Sequence, residues 1–242
     1  MFNLTGDQYP SAEVLGNDLS PIQPALYYDP IENKETNTYT LCRVPPNVRF
    51  EVDDMENEWV YSSKFDFIHG RYLAGAIKDW PKLMEQAFEF TRPGGWVEFH
   101  DFDMQFYTLK GAFKRGSPLD EWTSHIVQGL KKVGMEPEPG PKLEGWMKDA
   151  GFTNIQQKVL PIPVGVWPKD RRLKEIGALD YHQFQEGLEA ISMHILTNAA
   201  DWKPEEVQLF LINVRKELKN PRLQAQHNFH VVYAQKPLEE ER

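Results

Sequence analysis

Glu98 and His100 stand two residues apart at the end of the run Trp96-Val97-Glu98-Phe99-His100-Asp101. Read as a strand, its period of two puts Glu98 and His100 on one face and Phe99 and Asp101 on the other. The carboxyl end of a parallel strand is where open α/β sheets bind ligands. An imidazole titrates near neutrality, so His100 is a candidate general base; a polar residue that only closes a strand is the competing and commoner reading. Asp101-Phe102-Asp103 offers two carboxylates to a divalent ion, too few ligands to specify one. His227 and His230, three apart on an expected strand, face opposite ways. His182 and His194 are twelve apart on an expected helix. Neither pair can chelate one ion, and no metal site is expected. Lys169, Arg171 and Arg172 read as a solvated helix start.

The flanking sequence supplies the scaffold. Phe65-Asp66-Phe67-Ile68-His69 reads as a buried strand and Trp96 to Phe99 as a second. Between them Leu83, Met84, Ala87 and Phe88 share a helical face. Asp79 suits the N-cap, Pro81 is tolerated in the first turn, and Pro93-Gly94 is expected to stop the helix. Strand, helix, strand in that order implies a parallel sheet. Ala12 to Asp18 and Val48 to Asp54 read as earlier strands that end in acids. Helices are expected over 118–134, 141–150, 173–199 and 204–218, and strands over 153–160 and 228–235. Pro161, Pro163 and Pro168 are expected to interrupt regular structure. Within 204–218, Val207, Phe210, Leu211, Val214 and Leu218 repeat at helical spacing. The tryptophans at 122, 146, 167 and 202 fit helix packing. The whole chain, 1–242, reads as a single domain, with 168–220 as a helical annex before the last strand. The polar segment 27–43 is longer than such folds need; it is either functional or a foreign insertion, and its composition favours the second.

Composition narrows the classes. Hydrophobic residues make up 40% and charged residues 26%, the balance of a globular chain. The net charge of -9 opposes direct, nonspecific binding to nucleic acid. The one cysteine, Cys42, leaves no internal disulfide and fits a reducing compartment. No apolar run approaches the roughly 18 residues of a membrane span, and the first ten residues do not read as a signal peptide. A cytoplasmic or nuclear protein without membrane contact is expected.

Several strings together resemble the fungal LaeA-like methyltransferases, which depend on S-adenosylmethionine (SAM). They are Pro10 to Val14, Asp18 to Pro24, Pro45 to Phe50, Phe65 to His69, Lys78 to Pro81, Pro93 to Glu98, Trp167 to Asp170 and Lys174 to Gly177. The resemblance implies a Rossmann-like class I methyltransferase sheet and a role in fungal secondary metabolism, with a small-molecule substrate. By the same resemblance Asp18 would take the ribose hydroxyls of SAM. Asp54, with the backbone of Met55, would flank the adenine, Asp53 being the competing acid. His69 would stand beside the cofactor, or simply close its strand. Family members often carry glutamine where His100 stands.

One family feature has no counterpart here. The family's first strand is followed by a Gly-x-Gly-x-Gly-type loop, and the acid on the next strand comes about 20 residues later. In this sequence 17 residues precede Asp18, and Gly6 and Gly16 are the only glycines among them. The expectation is an incomplete sheet, without first strand and glycine loop, with two uncovered strand edges. Met1 to Asp7 would supply the tail of the helix after that loop, and SAM would bind poorly. Two other roles fit such a chain: a non-catalytic scaffold or regulator that binds a protein partner, and a cyclase or isomerase that works without SAM.

Overall fold

The computed structural model describes residues 2–21, 28–29, 40–41, 44–109 and 111–238. They divide into two units, Met1–Val60 and Tyr61–Arg242. In the first, α1 (Phe2–Gln8) precedes β1 (Val14–Asp18). Of the 27–43 segment, β2 (Tyr28–Asp29) and β3 (Thr40–Leu41) pair antiparallel, and the rest lies outside the described residues. β4 (Val48–Val52) runs parallel to β1 with Val14 opposite Val48 and Asp18 opposite Val52. Asn47 fixes that register. Its side-chain amide donates to the carbonyls of Gly6, Tyr9 and Ala12 at 3.2, 3.1 and 2.8 Å.

The second unit begins with β5 (Phe65–Arg71) and α2 (Trp80–Phe90). Asp79 caps α2, accepting from the Lys82 amide at 3.0 Å. The helix stops at Phe90, ahead of the expected Pro93-Gly94. The Thr91 hydroxyl donates to the Ala87 carbonyl at 2.6 Å, and Thr91 is already extended and paired with Phe65. β6 (Thr91–Thr108) is therefore far longer than Trp96 to Phe99, because a partner strand runs beside it as far as Thr108. After β7 (Gly111–Ala112) come α3 (Pro118–Lys132), a 3-10 turn at Gly140–Lys142 and α4 (Leu143–Asp149). β8 (Thr153–Pro163), α5 (Arg171–Ala199), α6 (Pro204–Leu218) and β9 (Ala225–Gln235) complete the unit.

The sheet order is β5-β6-β9-β8, with β5 and β6 parallel and β9 antiparallel to both β6 and β8. β5 ends this sheet, and among the described residues β1 pairs with β4 alone. Pro161 and Pro163 do not break β8, contrary to expectation. β8 is an edge strand, where a missing N–H costs no ladder bond.

Two sets of side chains hold the second unit. Trp80, Leu83, Met84 and Ala87 of α2 are buried. Trp80 stacks on Trp146 of α4 at 5.2 Å and meets Phe99 of β6 edge-on at 6.4 Å. The other set joins α3, α5 and α6 through Leu119, Trp122, Ile126, Leu188, Leu196, Val207, Leu211 and Val214. The expected stripe of α6 is thus a core stripe, with Phe210 at its half-buried margin. Gly177 lets α5 approach the preceding loop: a Cβ there would stand 2.2 Å from the Gly165 carbonyl oxygen. Asp170 caps α5, and Lys169, Arg171 and Arg172 are exposed around it, a solvated start. No helix among the described residues is long and apolar enough to cross a membrane.

Candidate functional site

Parallel pairing of β5 and β6 places His69 directly opposite Glu98, and Arg71 opposite His100. Neighbours across a ladder share a face, as do residues two apart along a strand. His69, Glu98 and His100 therefore meet on one face at the carboxyl ends of two parallel strands. Glu98 Oε1 lies 3.0 Å from His69 Nδ1 and 3.0 Å from His100 Nε2. The two imidazole rings are nearly perpendicular, with centroids 4.8 Å apart. Their side chains keep 14%, 28% and 19% exposure, open enough for a ligand to reach.

Burial pushes both histidines below the usual imidazole range. For His69 the His100 ring adds to that effect, and for both residues the Glu98 carboxylate opposes it without prevailing. Arg71 pushes the same way as burial. The imidazoles are thus biased toward the neutral form, in which a ring nitrogen can accept a proton or bind a metal. His69 Nε2 is buried without a hydrogen bond among the described residues, an expense of about 1–3 kcal/mol that a bound ligand would relieve.

The neighbouring acids take structural roles. Asp101, on the opposite face, accepts from the amides of Leu73 and Ala74 at 2.8 and 2.9 Å and from Phe102 at 3.0 Å. Burial nonetheless pushes its carboxyl up to about 6, against the pull of those amides. Asp103 accepts from the backbone and side-chain amides of Asn228 and lies 3.7 Å from His230 Nε2. Its burial would raise the carboxyl, but the nearby His230 and the Asn228 hydrogen bonds bring it below the ordinary range. Asp101-Phe102-Asp103 is committed to holding a loop and β9, which leaves it unsuited to a divalent ion.

The acids of the first unit gather at the carboxyl ends of β1 and β4. Asp18 Oδ1 accepts from the Ser20 amide at 2.9 Å, and the Asp18 carbonyl accepts from the Asp53 amide at 3.2 Å. Asp53 Oδ1 accepts from the Asp54 amide at 2.8 Å, and Asp54 Oδ1 from the Glu56 amide at 3.0 Å. The Met55 carbonyl accepts from the Trp59 indole at 3.0 Å. Asp18, Asp53, Asp54 and Met55 thus form one turn cluster.

Two groupings escaped the sequence. The first is His69 with Glu98, 29 residues apart; the signal was there, since two strands read as parallel neighbours needed only a register. The second is His227, which pairs with Asp180 at 3.2 Å among the rings of Phe102, Phe106 and Phe184. No spacing rule links a mid-helix aspartate to a strand histidine. His227 and His230 take separate partners, Asp180 and Asp103.

Comparison with known proteins adds the following. Residues 3–157 match the family model described as a methyltransferase domain. The chain is 40% identical over 237 residues to Methyltransferase pytC of Aspergillus terreus, covering 96% of this chain and 67% of that protein. It is 30% identical over 235 residues to Secondary metabolism regulator LAE1 of Cochliobolus heterostrophus, covering 96% of this chain and 71% of that one. Among solved structures it resembles a Haemonchus contortus phosphoethanolamine N-methyltransferase in complex with phosphomonomethylethanolamine and S-adenosylhomocysteine. That likeness has a TM-score of 0.51 at 17% identity and covers 97% of this chain and 46% of the other. At such identity it speaks for the fold, a class I α/β sheet.

Proposed function

We propose, from the premise that this chain belongs to the methyltransferase-domain family, that it transfers a methyl group from SAM to a small molecule of fungal secondary metabolism. The observation that carries this reading is the family match over residues 3–157. SAM supplies an electrophilic methyl group. Asp18 fits the ribose: Ser20 occupies Oδ1, and Oδ2 makes no hydrogen bond among the described residues, so it can accept from hydroxyls. Asp54 and the backbone of Met55 would flank the adenine. Glu98 and His100 would face the acceptor. His100, set 3.0 Å from Glu98, would take the proton that the acceptor's heteroatom loses as it forms its bond to carbon. Most of the rate gain would come from holding that atom in line with the sulfonium methyl.

Calorimetric titration with SAM and S-adenosylhomocysteine tests the reading. Saturable binding is expected, and it should be reduced in Asp18→Asn. Absence of binding at millimolar ligand overturns it. Methyl-labelled SAM, incubated with the chain and pathway intermediates, then reports the acceptor.

A further inference from the structure

Glu98 Oε1 is shared by two imidazoles at 3.0 Å each, and the three possible donor atoms of His69, Glu98 and His100 all lie within 4.8 Å of one another. Both rings converge on that one oxygen. We propose that His69, Glu98 and His100 bind a divalent first-row transition-metal ion. Bonds of about 2.0–2.2 Å from one ion to nitrogen and oxygen require ligand–ligand edges of about 3 Å, which two of the three edges already meet. The third, between the histidines, lies within 4.8 Å and would shorten on binding.

Donor chemistry selects the ion. Two imidazole nitrogens and one carboxylate oxygen suit zinc, iron, cobalt or nickel and not magnesium or calcium, which take oxygen ligands. Three protein ligands leave positions open, and the partial exposure of all three side chains gives the ion a way in. Arg71 opposes a cation electrostatically, but it is exposed and its charge is screened by solvent and salt. The charge of Glu98 is closer, so the balance favours the ion. This site does not rest on the methyl-transfer reading. With an ion bound, His100 is a ligand, and proton uptake by His100 belongs to the ion-free protein.

Chelator-treated 242-residue chain is titrated with Co2+ and followed by its visible absorption, then challenged with Zn2+. One equivalent of Co2+ per chain is expected, displaced by Zn2+. Glu98→Gln and His69→Ala should each weaken binding 10-fold or more, while His182→Ala, an exposed residue paired with Glu186, leaves it unchanged. Circular dichroism identifies variants that fail to fold, and for those His100→Gln serves instead. The proposal is overturned if the folded chain gives no Co2+ spectrum at millimolar ion. It is equally overturned if the Glu98 and His100 variants bind as tightly as the parent.

Discussion

The acid turn of the first unit and the histidine–glutamate cluster of the second both stand at the carboxyl ends of paired parallel strands, yet they are built differently. Asp18, Asp53 and Asp54 each hold an amide one or two residues along the chain. Their geometry is set locally, and Asp18 Oδ2 makes no hydrogen bond among the described residues. His69 and Glu98 come from segments 29 residues apart and meet because of strand register. A one-residue slip of β5 against β6 would turn His69 to the other face and dissolve the cluster. Local construction tolerates change around it; construction by register needs a rigid sheet behind it.

Four measurements bear on that contrast. Trp80→Ala removes the side chain that braces β6 from behind, stacked on Trp146 and 1% exposed. Denaturant unfolding should show a loss of about 3–5 kcal/mol. A loss under 1 kcal/mol would mean that the register-built cluster needs no such backing. Asp103→Asn should cost about 1–3 kcal/mol at neutral pH by weakening the hold of β6 on Asn228 and His230. Because the folded-state pKa of Asp103 is depressed, its contribution is full above the ordinary carboxylate range and lost as pH falls through the lower folded value. The gap between parent and variant, followed by urea midpoints, should therefore close below about pH 4.

Asp18→Asn should weaken SAM binding about 10-fold, or 1.4 kcal/mol, without touching Co2+ uptake. Glu98→Gln should do the reverse. If either variant moved both titrations equally, the two clusters would not be the separate constructions described. Arg92→Ala sets the floor. Arg92 pairs with Asp66 at side-chain exposures of 52% and 80%, and its loss should change thermal stability by less than about 1 kcal/mol.

Much of this molecule was legible in its residues. The α6 stripe, the Asp79 cap and the acids closing β1 and β4 follow from neighbours a few positions apart, where helix period, capping and turn chemistry act. The same rules misplaced the end of α2 and the behaviour of Pro161 and Pro163. Those outcomes hang on a strand partner and an edge position, which are facts about other segments.

The candidate site divides along the same line. Residue types, strand faces and the family could be read directly, down to Glu98 and His100 sharing a side. That His69 joins them, that Asp101 is spent on the Leu73 and Ala74 amides, and that His227 answers Asp180 were decided only in three dimensions. Periodicity fixes which way a side chain points. What it points at depends on register and packing between elements distant in the chain, and only the folded arrangement determines those.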